Sequence, residues 1–192
     1  GLYDHRSVNI LENPSAQELR DQLLDYVRGR STKGDILVFY YSGHGMAVGN
    51  NEFVFCLKDT QIRDETGTCL PLSVVAFRDV LNTLRSADIH PVFIIDACCS
   101  TKAAPNDLLA AMQDDMKRTA ANSCALFCAW YEEGPAADTD GGGAFTKAIY
   151  DVASSGLADA KHKHRAVLEL GDLTRSVRTK LENDGMPLSA LY

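Results

Sequence analysis

Two short stretches of this chain carry residue types suited to covalent catalysis. Ser42-Gly43-His44-Gly45 follows the apolar run Ile36–Tyr41, and Asp96-Ala97-Cys98-Cys99-Ser100 follows the apolar run Pro91–Ile95. Cys98 lies 54 residues beyond His44. Cysteine attacks as its thiolate, so a catalytic thiol needs a base or a cation beside it, and an imidazole supplies one. Singly, Cys98 reads as a buried structural thiol and His44 as a solvated loop imidazole. Placed together at the carboxyl ends of two strands, where reactive groups gather in layered α/β sheets, they read as a nucleophile and its base. The glycines flanking His44 are expected to let the backbone turn sharply. The Gly45 amide would then point into the cleft and, with the Cys98 amide, hold the oxyanion of a tetrahedral intermediate.

The surrounding elements must bring these stretches together. Ser15-Ala16-Gln17-Glu18 has the capping-box pattern, and Leu19, Leu23, Leu24 and Val27 continue it as one apolar face, which predicts a helix over 16–28 ending near Gly29. Ile36–Tyr41 is apolar on both faces, as a strand inside a parallel sheet must be. Phe53–Leu57 reads as a short strand, and Val74–Leu84 as an amphipathic helix capped by Ser73. Pro91–Asp96 and Cys124–Trp130 are two further buried strands, with Asn106–Arg118 between them as a polar helix or a mobile segment. Asp138–Gly143 is a loop by composition, Ala144–Val152 and Asp172–Leu181 are helical, and Pro187–Tyr192 closes the sheet edge. Strands alternating with helices predict one three-layer α/β/α domain over 1–192 with a mostly parallel central sheet.

Composition narrows the function. Of 192 residues 45% are hydrophobic and 23% charged, ordinary for a globular domain with a sizeable core. A net charge of −7 leaves no basic face for phosphates, so nucleic acid is not an expected partner, whereas a basic peptide is a suitable one. Neither apolar run is long enough to span a bilayer, and no membrane association is expected. Six cysteines (Cys56, Cys69, Cys98, Cys99, Cys124 and Cys128) form no Cys-x-x-Cys pair, which points to a reducing cytoplasm. His162-x-His164 has no partner at zinc-ligand spacing, so no metal is expected.

Ser-Gly-His-Gly after one hydrophobic strand and Asp-Ala-Cys-Cys-Ser after another resemble the caspase-like cysteine peptidases, above all metacaspases and their prokaryotic relatives. Caspases carry Gln-Ala-Cys-x-Gly with a histidine about 50 residues upstream; this chain matches in spacing and departs in residue type. Gly143-Ala144-Phe145-Thr146-Lys147-Ala148 is similar to the Gly-x-Phe-Thr-x-Ala helix start of the family, so the resemblance runs from about Ile36 to Ile149. It implies a caspase-like fold, His44 as general base or proton shuttle, and Cys98 as nucleophile rather than Cys99. The family glycine after this run is absent, since Thr101 follows Ser100.

The resemblance also implies a direction for specificity. Metacaspases share the aspartate found here at Asp96, and their acidic pocket selects arginine or lysine. Asp96 has two readings: a carboxylate that binds a basic side chain by charge-assisted hydrogen bonds, or a cap for local backbone amides. Glu132 and Glu133 lie where the family supplies the other side of that pocket, and a solvated loop charge is the equal alternative for each. Trp130 is either a wall of the substrate groove or a core residue. The stretch 101–122 corresponds to a linker that many members cut on activation; it holds Lys102, Lys117 and Arg118, and its other reading is a surface helix. Some metacaspases depend on calcium, but Asp138 and Asp140 form no defined ligand pattern, so no cofactor is expected. The family sheet opens with a strand that finds no counterpart before the short candidate Ser7–Leu11. An upstream segment or companion chain is therefore expected to complete the sheet. The expected function is a cysteine endopeptidase acting after Arg or Lys; the alternative is a catalytically silent caspase-like interaction or regulatory module. A third reading, a thiol acyl transferase or redox protein, is disfavoured by the lack of Cys-x-x-Cys.

Overall fold

A computed structural model of the chain describes residues 8–49, 52–62, 70–99, 105–118, 125–131, 138–139, 142–155, 169–185 and 188–191. Helix α1 (Ala16–Gly29) starts on the capping box: the Ser15 hydroxyl accepts from the Glu18 N–H, and the Glu18 carboxylate accepts from the Ser15 N–H at 2.7 Å. Two of the donors orphaned at any helix start are thereby satisfied locally. There follow β1 (Ile36–Val48), β2 (Glu52–Cys56), a 3-10 turn (Pro71–Ser73), β3 (Val74–Ala76), α2 (Phe77–Ser86) and β4 (His90–Cys99). The remaining elements are α3 (Pro105–Arg118), β5 (Ala125–Tyr131), the two-residue pair β6 (Asp138–Thr139) and β7 (Gly142–Gly143), α4 (Ala144–Ser155), α5 (Leu170–Asn183) and β8 (Leu188–Leu191).

Among the described residues six strands form one sheet in the order β3-β2-β1-β4-β5-β8. Its centre is parallel, β1 beside β4 and β4 beside β5, while β2, β3 and β8 join antiparallel. The α/β sandwich expected from the alternation of elements is present, with its parallel pairing confined to this centre. Phe93, Ile95 and Ala97 of β4 pack on α1, α2 and α3 through Leu19, Phe77, Leu81, Leu84 and Met112. Ile94 points the other way, onto α4 and α5 through Phe145, Val177 and Leu181. Alternate residues of one strand thus feed two cores, which is what the two-residue period of a strand requires of a three-layer domain.

Five expectations need correction. The strand beginning at Ile36 does not end at Tyr41 but continues to Val48, because Ser42–Gly45 pair with β4 and Gly45–Val48 pair with β2. Nor is it buried on both faces: Ile36, Val38 and Tyr40 are exposed. Ser73 does not cap a helix, since Val74–Ala76 form an edge strand on β2 and the helix starts at Phe77; the Ser73 hydroxyl instead accepts from the Gln61 N–H and donates to the Leu70 carbonyl. Val8–Leu11 is not a strand and exposes its apolar side chains. Of the two readings of Asn106–Arg118 the helix is the one found, as α3, but it is not a polar helix, because Leu108, Leu109 and Met112 are buried in the larger core.

Candidate active site

His44 and Cys98 are direct partners across the β1–β4 ladder, and the same register sets Ser42 beside Asp96 and Gly45 beside Cys99. Neighbouring strands lie about 4.8 Å apart, so positions 44 and 98 stand one strand spacing from each other. Both sit within strands rather than on the loops that the glycines and polar residues suggested. His44 is exposed.

The glycines around His44 serve close approach instead of a turn. Neither Gly43 nor Gly45 has a positive φ. A Cβ on Gly43 would come within 2.7 Å of the Tyr41 hydroxyl, and one on Gly45 would strike the Phe53 ring. The Tyr41 hydroxyl uses the room beside Gly43 to share its one proton between the His44 carbonyl at 2.6 Å and the Cys56 carbonyl at 2.7 Å. It thereby ties the backbone of the histidine to β2. Gly45 is buried, with Phe55 on one side and Cys99 on the other, so the open turn expected there is replaced by a strand.

Asp96 is 3% exposed. Its Oδ2 accepts the Thr146 amide at 3.2 Å and also the Thr146 hydroxyl. Thr146 is the third residue of α4, so the carboxylate fills the place of an N-cap side chain for that helix. The cap is remote, 50 residues from the helix residue it serves, not the local one envisaged for an aspartate at a strand end. Gly143, the residue before α4, makes this feasible: a Cβ there would collide with Asp96 Oδ2. The second oxygen, Oδ1, is buried and has no hydrogen-bond partner among the described residues. A buried carboxylate oxygen without a donor is costly, and a bound cationic group would relieve that cost.

Trp130 lies in β5 opposite Ala190 of β8, beside an irregularity in register at Tyr131. Glu132, Glu133, Lys102, Asp140 and the pair His162 and His164 fall outside the described residues, as do Ser7 and the ends of the 101–122 stretch. Among the described residues no group of three or more His, Cys, Asp or Glu side chains is placed to hold a metal ion, and no helix is long and apolar enough to cross a membrane. The residues that composition and spacing did not reveal are Tyr40, Tyr41 and Thr146. The Gly143–Ala148 motif was the available signal for Thr146; nothing local marked the two tyrosines.

No curated protein and no solved structure gives a match to the chain. A family model described as the caspase domain matches residues 3–189, a wider span than the motif-bearing stretch from Ile36 to Ile149. With that coverage and a sheet that sets the histidine and cysteine strands side by side, the chain belongs to the caspase-domain family of cysteine peptidases.

Proposed function

We propose that the protein is a cysteine endopeptidase in which His44 and Cys98 form the catalytic dyad and Asp96 directs cleavage to the bond after Arg or Lys. The observation that carries this is the register of the sheet, which pairs His44 with Cys98. In the proposed reaction the Cys98 thiolate attacks the scissile carbonyl carbon, forming a C–S bond and an oxyanion. The amides of Cys98 and Gly45, one register step apart, are assigned to that oxyanion. The protonated His44 then gives its proton to the departing amine as the C–N bond breaks, leaving a thioester. Water, losing a proton to His44, attacks the thioester carbonyl; the C–S bond breaks, the acyl half of the substrate leaves as a carboxylic acid, and the Cys98 thiolate is restored beside protonated His44.

Asp96 supports the choice of a basic residue because its Oδ1 is buried and, among the described residues, without a donor. An ammonium or guanidinium supplies donors with complementary charge, whereas an acidic side chain would be repelled. Glu132 or Glu133, after β5, is assigned to the same subsite by the family resemblance, and Trp130 within β5 is assigned to a wall of the substrate groove. Self-processing within 101–122, service in a cell-death or defence pathway and a cytoplasmic location belong to the proposal on resemblance and cysteine usage alone. A strand supplied by an upstream segment or companion chain is proposed to join β1. On one side its residues Ile36–Tyr40 pair with β4, and on the other, among the described residues, β2 joins only from Gly45 onward.

A fluorogenic peptide panel differing only at the residue before the scissile bond (Arg, Lys, Asp, Ala) tests this reading. Hydrolysis of the Arg and Lys peptides, abolished in Cys98→Ala and retained in Cys99→Ala, is expected. Preference for Asp, or full activity in Cys98→Ala, overturns it.

A further inference from the structure

Asp96 does not stand alone. The Tyr40 hydroxyl lies 2.7 Å from Thr146 Oγ1, and the Thr146 hydroxyl in turn donates to Asp96 Oδ2. One hydroxyl has one proton. Because Thr146 gives its proton to the carboxylate, its oxygen must accept from Tyr40, and the chain of bonds runs in a fixed direction from Tyr40 through Thr146 to Asp96. Three elements meet in it: β1, which carries His44 four residues after Tyr40; β4, which carries Cys98 two residues after Asp96; and the start of α4.

We propose that Thr146 is the positioning residue that sets substrate selectivity, by binding one oxygen of Asp96 through two donors and thereby reserving the other for the basic side chain of the substrate. This deepens the proposed preference for Arg and Lys and rests on it. Thr146 contributes its amide and its hydroxyl to the single atom Oδ2. Two donors on one oxygen fix the plane of the carboxylate and leave Oδ1, buried and without a donor among the described residues, as the acceptor still to be satisfied. A backbone amide alone holds the carboxylate by one bond, and the group can then swing or exchange its oxygens. Tyr40 completes the arrangement by keeping the Thr146 hydroxyl aimed at Asp96 and away from solvent. The role is indirect: Thr146 selects substrate through Asp96.

The test compares two peptides identical except for arginine or citrulline before the scissile bond, since citrulline keeps the shape of arginine and loses its charge. The ratio of kcat/KM for arginine over citrulline is measured in the wild type, Thr146→Val, Thr146→Ser and Tyr40→Phe. In Thr146→Val the ratio is expected to fall by about tenfold or more, through KM for the arginine peptide. Thr146→Ser keeps the hydroxyl and should restore the ratio, and Tyr40→Phe should lower it by a smaller factor. Iodoacetamide labelling of Cys98 checks that each variant is folded around a reactive thiol. A wild type that does not favour arginine removes the underlying specificity reading. A wild type that does favour it, with an unchanged ratio in a folded Thr146→Val, or with Thr146→Ser as impaired as Thr146→Val, removes the role given to Thr146 and leaves that of Asp96 standing. If Thr146→Val does not fold, the Tyr40→Phe ratio decides, and an unchanged value there overturns the proposal.

Discussion

His44 and Cys98 face each other as Cα partners in the β1–β4 ladder, and the Tyr41 hydroxyl holds the His44 carbonyl at 2.6 Å. The 54 residues that separate them in the chain are closed by a single strand pairing. Backbone hydrogen bonds of a central sheet are among the last to open in a folded domain. Two residues set at matching steps of such a ladder need no loop closure to find one another. The spacing of the two positions is therefore inherited from the core: Phe93, Ile95 and Ala97 of β4 are each 0% exposed, and they fix the strand on which Cys98 rides.

The first prediction concerns the thiol itself. If His44 supports the thiolate of Cys98, alkylation of Cys98 by iodoacetamide at pH 6.5 should slow by about tenfold or more in His44→Ala, a modest part of the ~10²–10⁴-fold range for a positioned acid–base group. Peptide mapping by mass spectrometry assigns the labelled site. Equal labelling rates in the two proteins would show that the adjacency in the ladder has no chemical consequence.

Gly45 offers a test of packing. A methyl group at this position would strike the Phe53 ring, whose Cζ would lie 2.6 Å away, and Phe53 is itself 2% exposed. Gly45→Ala is expected to cost about 1–3 kcal/mol by overpacking, read from urea denaturation. Phe53→Leu makes room, so the double variant should be less destabilised than the sum of the two single ones. Simple additivity would mean that the two residues do not meet.

The capping box gives a prediction in pH. Hydrogen bonding from the Lys58 ammonium, then from the Ser15 amide and hydroxyl, lowers the Glu18 carboxyl from 4.5 to about 2. The folded state thus favours the ionised form. Its stabilisation is complete above about pH 4.5, shrinks as pH falls, and is gone below about pH 2. The urea midpoints of wild type and Glu18→Gln should differ at pH 7, by a small amount because the pair is exposed, and converge as pH approaches 2. A difference independent of pH would show that the charge of Glu18 is irrelevant to the cap.

What could be read in advance was what is encoded locally. Ser15 and Glu18 announce a helix start within four residues, and Pro91–Ile95 announces a buried strand by composition. The course of β1 through Ser42-Gly43-His44-Gly45 was hidden, because glycine and serine read as turn formers while the strand is imposed by partners at 96–99 and 53–55. Val74-Val75 became a strand for the same reason, through pairing with β2. The His44 and Cys98 positions were legible as residues, but not their location inside strands. The tie from Asp96 to Thr146 spans 50 residues, and no periodicity carries such information. In α3 the signal was present: Leu108, Leu109 and Met112 occupy one helical face, and the charges around them obscured it.

That face leads to the last prediction. Leu108, Leu109 and Met112 are 0%, 2% and 1% exposed, and Asp115, 8% exposed, binds Arg78 Nε at 2.9 Å. A helix so anchored belongs to the folded domain even if the chain on either side of it is cut. Leu109→Ala should therefore cost about 2–5 kcal/mol of stability, the usual range for a leucine deleted from a packed core. Lys117 and Arg118 lie at its exposed carboxyl end, so cleavage there should leave two fragments that remain together on gel filtration and separate only in denaturant. A loss well under 1 kcal/mol in Leu109→Ala, or release of the fragment containing α3 under native conditions, would show that this helix is a detachable linker and no part of the core.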